Sequence, residues 1–358
     1  MWNAKIASVL LELGFEQSKC DYSLFIKNSD SCFIVVLVYV DDIVITGTSF
    51  DEISKVKDFL RTKFLIKDLG ILKYFLGIEV IAYDNGLCLS QRKYCLDLLA
   101  EYGMTGCKPV NNPMEANHVI TGLCNKHDSV LTNITGYQKL VGKLIHLSHT
   151  RPDISYSVHF LSQYMHCPKD SHLRVAMRLL RYLKKSHSKG ILFSKGSSFE
   201  LKSYADSDWA KCTESRKSVT GFCVFLGSSL VSWKSKKQPT ISRSTAEAEY
   251  RSMCAATCDV IGLINVLQEL GVIINLPVSL FCDSSATISI AANPVFHERT
   301  KHFELDLFFL REKISSGCIK AEKINSKNQV ADIFTKGLLV HQHEYLCNLL
   351  GMFDIFSY

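Results

Sequence analysis

The region from residue 199 onward has the pattern that most constrains the fold. Five apolar or alternating runs in it have the length and period of β-strands. The predicted strands are 200–206, 219–226, 230–234, 278–283 and 318–324. A long helix, 244–270, follows the first three strands, and short helices alternate with the last two. This order predicts a mixed five-stranded sheet flanked by helices.

The rest of the chain divides by composition into further blocks. Residues 1–110 combine strand-like runs with helices, and Asp84-Asn85-Gly86 is a strong hairpin signal. Residues 111–198 begin with a polar stretch and then become helical. At roughly 100–200 residues per domain, a chain of 358 residues holds two or three domains. We therefore expect segments 1–110, 111–198 and 199–340, followed by a C-terminal tail, 341–358, in a multidomain α+β or α/β protein.

Positive charge is concentrated in the middle block. The chain has 41 basic and 35 acidic residues, whereas residues 111–198 have 12 basic and 4 acidic side chains, a net charge of +8. Basic residues recur there at helical spacing, so most of them share one helix face. They are Arg174, Arg178, Arg181, Lys184 and Lys185. Such a face is either merely solvated or suited to a polyanion such as a nucleic acid.

Cysteine usage and the length of the apolar runs indicate the cellular compartment in which the chain folds. The fourteen cysteines contain no Cys-x-x-Cys pair, which argues against a zinc ribbon or a thioredoxin-like site. No secretory signal pattern follows Met1, and the longest strongly apolar run, 32–40, is far shorter than the ~20 residues of a membrane span. We expect reduced, buried thiols in a cytosolic or nuclear protein that is not secreted and has no membrane partner.

Two adjacent acids, Asp41 and Asp42, interrupt a long apolar run. In a water-facing turn such a pair means little. Between buried strands, however, two unpaired carboxylates are costly, and a divalent cation would offset that cost. A tight turn would bring both acids to the edge of the sheet, where an ion can bind.

Four other carboxylates occupy strand ends and helix starts. Asp206 and Asp283 end predicted strands, Glu249 lies in the first turns of a helix, and Asp332 begins another helix. Gathered together, they suit two Mg²⁺ ions, with Mn²⁺ as a substitute. Two such ions ~3.5–4 Å apart support phosphodiester cleavage. Individually, Glu249 is also compatible with a surface acid and Asp332 with a helix-dipole partner. Composition leaves Asp208, Glu247 and Asp259 open as alternatives.

Several motifs together resemble the reverse transcriptase and ribonuclease H regions of copia-type LTR retrotransposons. The resemblance covers essentially the whole chain. The motifs are Tyr39-Val40-Asp41-Asp42, Lys67-Asp68-Leu69-Gly70, Tyr74-Phe75-Leu76-Gly77-Ile78-Glu79, Leu89-Ser90-Gln91, Gly142-Lys143-Leu144-Ile145, Thr150-Arg151-Pro152-Asp153, Ser232-Trp233-Lys234-Ser235-Lys236-Lys237-Gln238 and Lys301-His302-Phe303-Glu304.

The resemblance implies a partial polymerase palm, a helical thumb or connection, and a ribonuclease H-like domain. It implies Asp41 and Asp42 as polymerase metal ligands. It implies Asp206, Glu249, Asp283 and Asp332 as the nuclease's Mg²⁺ ligands, with Glu249 preferred to Glu247 because it directly precedes Tyr250. The implied activity is cleavage of RNA in RNA–DNA hybrids, without a small-molecule cofactor, in the cytoplasm within a virus-like particle or in the nucleus.

Contacts with the hybrid are expected from two kinds of residue. The basic helix and Lys236 and Lys237 would hold phosphates, which makes affinity fall with salt. Reading the 2′-hydroxyl distinguishes RNA from DNA, and serines near the catalytic strands are candidates for it, although cap or turn roles are the commoner use of serine. These serines are Ser207, Ser242, Ser244 and Ser284.

Departures from the family pattern affect both activities. The family's palm has another Asp on an earlier strand, which this sequence lacks, so we expect no polymerase activity from this 5′-truncated chain alone. A complete reverse transcriptase could supply that part in trans. The window 325–328 has no His where cellular ribonucleases H have one, and Phe308 stands where relatives often have His. The alternatives are a catalytically silent remnant that only binds nucleic acid and an integrase-like strand transferase.

Overall fold

The computed structural model describes residues 2–29, 32–116, 128–196, 198–293 and 303–356. Its contacts divide the chain into two compact units. The first comprises residues 1–76 and 261–274, and the second comprises residues 77–260 and 275–358. Lys301 and His302 of the last motif, and residues 117–127 of the polar stretch, lie outside the described residues.

The first unit combines a four-stranded antiparallel sheet, two helices, a short separate strand and residues 261–274, which include the end of a long helix. Its elements are α1 (Trp2–Glu12), β1 (Glu16–Gln17), β2 (Leu24–Ser29), β3 (Cys32–Tyr39), β4 (Asp42–Gly47), α2 (Phe50–Lys63) and the short strand β5 (Tyr74–Phe75). Strands β1 to β4 pair in chain order. The apolar run of β3 becomes a central strand because its side chains pack against α1 and α2, with Ile34 and Val36 fully buried.

Four helices of the second unit share one apolar core. They are α3 (Arg92–Glu101), α4 (Ile134–Leu147), α5 (Ser155–Ser162) and α6 (Asp170–Lys185). Helix α6 buries the apolar stripe that includes Val175 and Leu179 and leaves its basic residues on the other side. Inside this core, the Arg151 guanidinium donates to both carboxylate oxygens of Asp153, at 2.9 and 2.6 Å, so the buried charges neutralise one another.

A sheet beside these helices draws on distant parts of the sequence. Strands β6 (Ile78–Tyr83), β7 (Gly86–Ser90), β8 (Lys189–Ser194) and β14 (Met352–Asp354) pair in the order β14-β8-β7-β6. Segment 341–358 is therefore not a tail: it contributes most of α10 (Val340–Leu349) and all of β14. The reason is that β8 would otherwise expose an unpaired edge, and β14 satisfies its backbone groups. This sheet therefore combines strands from three of the four predicted segments: β6 and β7 come from 1–110, β8 from 111–198 and β14 from 341–358.

The predicted mixed five-stranded sheet is also in the second unit. Its strands are β9 (Leu201–Asp208), β10 (Val219–Leu226), β11 (Ser229–Lys237), β12 (Val278–Cys282) and β13 (Ile319–Lys323), in the order β11-β10-β9-β12-β13. The first three strands are antiparallel, and β12 runs parallel to both β9 and β13. Helices α7 (Thr245–Glu269), α8 (Ser285–Ala292) and α9 (Glu304–Ser315) follow the pattern predicted from the sequence.

Candidate functional site

Four carboxylates from four different elements lie at one end of the mixed sheet. Asp206 is on β9, Asp283 directly follows β12, Glu249 is on α7, and Asp332 is in the 3₁₀ turn Val330–Phe334. Strands β9 and β12 are parallel neighbours, with Tyr204 opposite Phe281, so the residues two positions further along both strands reach the same edge. The sequence predicts that Asp206 ends its strand, whereas β9 continues for two more residues to Asp208. Strand pairing then brings the acids together.

Glu249, Asp283 and a cysteine form the tightest part of this group. One ligand atom each from Glu249, Cys282 and Asp283 lies within 4.8 Å of the other two. The Ser207 backbone N–H donates to Glu249 Oε1 at 3.3 Å, and the Cys282 thiol donates to Glu249 Oε2 at 3.9 Å. Cys282 is absent from the sequence-based prediction. Its position directly before Asp283, at the end of a buried strand, is the signal that would have identified it.

The electrostatics of these acids follow from burial and from their mutual repulsion. Burial, then Asp206 and Asp283, raises the pKa of Glu249 to about 9. Burial, then Asp206, raises the pKa of Asp332 to about 7. Burial, then Glu249, raises the pKa of the Cys282 thiol to about 12. Several carboxylates that cannot all ionise without added positive charge are a donor set that fits hard divalent cations.

Two residues just after Asp332 also contact the acids and were not predicted. The Lys336 ammonium lies 2.9 Å from Asp332 Oδ1 and 3.6 Å from Asp206 Oδ2. The Thr335 hydroxyl donates to Asp206 Oδ2. Lys336 is four residues after Asp332, and this i,i+4 spacing of opposite charges was a usable sequence signal.

Close packing and hydrogen bonds hold this arrangement. A side chain at Gly221 on β10 would place its Cβ 2.6 Å from Thr335 Cγ2 and 2.8 Å from Phe334 Cβ, so glycine lets the Asp332 turn rest on the sheet. The Ser252 hydroxyl donates to the carbonyl oxygen of Asp206 at 2.6 Å. The backbone beside the acids is therefore anchored by buried neighbours.

Two of the alternative acids pair with cations, and the third lies further along α7. Asp208 pairs with Lys211 at 3.0 Å, and Glu247 pairs with Arg251 at 2.8 Å. Glu247 lies two residues before Glu249 on α7, and such positions face different sides of a helix. Asp259 lies nearly three turns further along α7.

The Asp41-Asp42 pair lies at the turn between β3 and β4, where Tyr39 is opposite Asp42. Both acids are exposed. The Trp2 indole donates to the Val40 carbonyl at 2.6 Å and ties α1 to this turn. Among the described residues, Glu249, Cys282 and Asp283 are the only group of three or more clustered metal-ligand side chains.

The basic helix makes contacts that the sequence did not predict. The Arg181 guanidinium donates to the Lys108 carbonyl at 2.7 Å, and the Lys184 ammonium donates to the Cys107 carbonyl at 2.9 Å. Arg178 and Lys185 donate to side chains of the same segment, 105–115, at 2.7 to 2.8 Å. These four cations hold the chain's own loop, because its acceptor groups need donors. Arg174 is exposed.

The remaining predicted nucleic-acid contacts lie in two settings. Lys236 and Lys237 are on β11, an edge strand, and Lys236 is exposed. The four serines take local structural roles. The Ser284 and Ser244 hydroxyls accept from the backbone N–H groups of Thr287 and Glu247 at helix starts. The Ser242 hydroxyl donates to the side chain of Gln238, and the side chain of Gln238 donates to the Ser207 hydroxyl.

Comparison with known proteins identifies the family. The family described as reverse transcriptase (RNA-dependent DNA polymerase) matches residues 1–116. The Pol polyprotein of transposon RE1 from Arabidopsis thaliana is 40% identical over 94% of this chain, which spans 23% of that polyprotein. A putative transposon Ty5-1 protein of Saccharomyces cerevisiae is 31% identical over 70% of this chain and 81% of its own length. The chain belongs to the copia-type retrotransposon Pol family.

Solved structures similar to the chain include ribonucleases H. The N-terminal ribonuclease H domain of a Mycobacterium tuberculosis protein, solved as a fusion with maltose-binding protein, aligns with a TM-score of 0.29 and 15% identity. This alignment covers 42% of this chain and 98% of that one. Within the described ranges, no helix has both the length and the apolar character required to cross a bilayer.

Proposed function

We propose that this copia-type chain is a ribonuclease H-type endonuclease that hydrolyses RNA in RNA–DNA hybrids with two divalent metal ions. The observation that carries the proposal is the convergence of Asp206, Glu249, Asp283 and Asp332 from four elements, with raised pKa values at Glu249 and Asp332. Family membership makes a nucleic acid the natural substrate. Because burial and mutual repulsion disfavour the ionised form of these acids, a bound cation would stabilise them more than it would stabilise an exposed carboxylate.

The chain's own groups define how ions would be held. Glu249 and Asp283 would bind one ion, with Glu249 oriented by the Ser207 N–H and Asp283 by the Ser326 hydroxyl at 2.7 Å. Asp206 and Asp332 would bind the other ion. Bound Mg²⁺ or Mn²⁺ would generate a nucleophilic hydroxide from water and stabilise the leaving oxygen. The expected products have 5′-phosphate and 3′-hydroxyl ends.

Hybrid cleavage tests the proposal directly. An end-labelled RNA strand paired with DNA is incubated with Mg²⁺ and either the wild type or Asp283→Asn. We expect RNA cutting by the wild type and a loss of about 100-fold or more in the variant, because a metal-binding carboxylate is removed. Asp208→Asn is the matched control, since Asp208 pairs with Lys211. It is expected to keep the wild-type rate.

The second candidate is a catalytically silent remnant that binds nucleic acid. The exposed Lys236 on the edge strand β11 could hold a phosphate of a nucleic acid whether or not the chain cleaves it. A folded sample that binds hybrid but leaves the RNA strand intact in Mg²⁺ and in Mn²⁺ would support this candidate against the nuclease.

For the Asp41-Asp42 pair we propose a vestigial polymerase metal site that does not support synthesis by this chain alone. The pair is exposed, and it is not part of a group of three clustered ligand side chains in the described ranges. Primer extension on an RNA template tests this expectation, and incorporation of nucleotides by the purified chain would contradict it. Rescue by an added complete reverse transcriptase would support assembly in trans.

A further inference from the structure

A lysine occupies the centre of one half of the carboxylate group. The Lys336 ammonium lies 2.9 Å from Asp332 Oδ1 and 3.6 Å from Asp206 Oδ2. These two carboxylates are those proposed above to share a metal ion. An ammonium at this place and a divalent cation compete for the same two oxygen ligands.

The contact is a consequence of the fold around it. Asp332 and Lys336 are four residues apart, and the backbone N–H of Lys336 donates to the Asp332 carbonyl at 3.2 Å, so their side chains emerge on the same side of the turn. The turn itself rests on the sheet at Gly221, where a Cβ would be only 2.6 Å from Thr335 Cγ2. Lys336 therefore reaches both acids from a packed and defined position.

Lys336 also has a route out of the site. Its side chain is 35% exposed, whereas those of Asp206 and Asp332 are 4% and 8% exposed. A lysine has a flexible stem of four carbons, so the ammonium can rotate into water without a change in the backbone. The two carboxylates have no such freedom.

The charge of Lys336 is secure. The ordinary pKa of a lysine ammonium lies far above neutral pH, and Lys336 contacts two carboxylates. The other half of the group differs, because there Glu249 faces Cys282 and Asp283, and Lys323 donates to the backbone carbonyl of Asp283. The two halves of the carboxylate group therefore differ: the Lys336 ammonium contacts the carboxylates of Asp206 and Asp332.

We propose that Lys336 is a positioning residue that holds Asp206 and Asp332 together in the metal-free protein and must leave before a divalent ion binds between them. The proposal rests on the two-metal function proposed above and deepens it. It implies sequential binding: one ion enters at Glu249 and Asp283, and a second, weaker ion enters only when Lys336 turns outward.

Manganese binding to the full chain tests this order, measured by the loss of free Mn²⁺ signal in electron paramagnetic resonance and by calorimetry, without nucleic acid. Lys336→Met keeps an apolar stem and removes the charge. We expect the second ion to bind this variant roughly ten-fold more tightly than the wild type, because a positive charge within about 4 Å opposes a cation strongly in a partly buried site. Lys327→Met, at a nearby exposed position, is the control and is expected to match the wild type.

A second variant guards against misfolding of the first. Lys336→Arg keeps the charge and adds a fork that can bind both carboxylates, so we expect weaker binding of the second ion than in the wild type. In EDTA, Lys336→Met is also expected to unfold at a lower temperature than the wild type and to gain more from Mn²⁺.

The outcomes are distinct. Opposite shifts in the Met and Arg variants support the proposal. Equal isotherms for the wild type and both variants, or no ion bound by any of them, overturn it. Hybrid cleavage that is lost in Asp283→Asn but accompanied by equal isotherms would leave the nuclease in place and remove only the role of Lys336.

Discussion

Replacing Glu249 with glutamine should stabilise the metal-free protein, and the size of the effect follows from the site. The pKa of Glu249 is raised from 4.5 to about 9 by burial, Asp206 and Asp283. Below pH 4.5 the carboxyl group is protonated in both folded and unfolded chains and costs nothing. As the pH rises from 4.5 to 9, the unfolded chain loses this proton while the folded chain retains it, so folding stability falls by about 1.4 kcal/mol per pH unit.

At pH 7 this cost amounts to roughly 3 kcal/mol, because pH 7 lies about two and a half units above the ordinary pKa. Glutamine has nearly the same shape, and its side-chain oxygen can still accept from the Ser207 N–H. Glu249→Gln should therefore match the wild type near pH 4.5 and exceed it progressively as the pH rises. Saturating Mg²⁺ should close the gap, since the ion stabilises the ionised wild-type site but not the amide.

Urea unfolding in EDTA at several pH values measures this difference. A Trp2→Phe background leaves Trp209 and Trp233, both in the second unit, as the fluorescent reporters. Asp208→Asn, which removes an acid from the same strand as Asp206, serves as the control. If Glu249→Gln is no more stable than the wild type at any pH from 5 to 8, Glu249 is not held among buried like charges.

Three further predictions concern other parts of the second unit. Arg151→Met leaves the buried Asp153 carboxylate without its partner and should lower the free energy of unfolding by about 3–5 kcal/mol in urea titrations; a loss below ~1 kcal/mol would contradict this. Gly221→Ala should cost about 1–3 kcal/mol and reduce hybrid cleavage, since its Cβ displaces the Asp332 turn; unchanged cleavage would argue against that packing. Replacing Lys236 and Lys237 with glutamine should make hybrid binding less sensitive to salt. The slope of log affinity against log salt concentration should become less steep by nearly 1 for each phosphate that is no longer neutralised. An unchanged slope would show that β11 is not part of the interface.

Local pattern was sufficient for the type and order of the elements of the mixed sheet, although β9 and β11 extend beyond the predicted 200–206 and 230–234. Strand 219–226 and helix 285–292 have the predicted bounds, and α7 lies within one residue of them. These segments carry unbroken strand or helix periods between turn residues, so neighbouring residues alone decide their conformation. The same periods located Asp206, Glu249 and Asp283 relative to strand ends and to the long helix.

Contacts between residues that are distant in sequence could not be predicted in this way. Cys282 is next to Asp283 and Lys336 is four residues after Asp332, but Cys282 contacts Glu249, and Lys336 contacts Asp206, only because β12 lies parallel to β9 and the Asp332 turn rests on Gly221. The basic face of α6 could be read from its spacing, but its engagement by segment 105–115 could not. No local pattern indicates which donors a distant loop will bind.

The local pattern of the chain predicts the mixed five-stranded sheet, four acids at or near the ends of its elements and the surplus of positive charge in residues 111–198. Three features depend on the folded chain: the segment after residue 340 closes the edge of β8, Lys336 contacts Asp206 as well as Asp332, and most of the basic helix contacts the chain itself. The difference lies in the distance along the chain over which the interactions act. Periodicity reports the environment of each side chain, whereas pairing is chosen by competition among all the donors, acceptors and charges that the folded chain brings within a few ångströms.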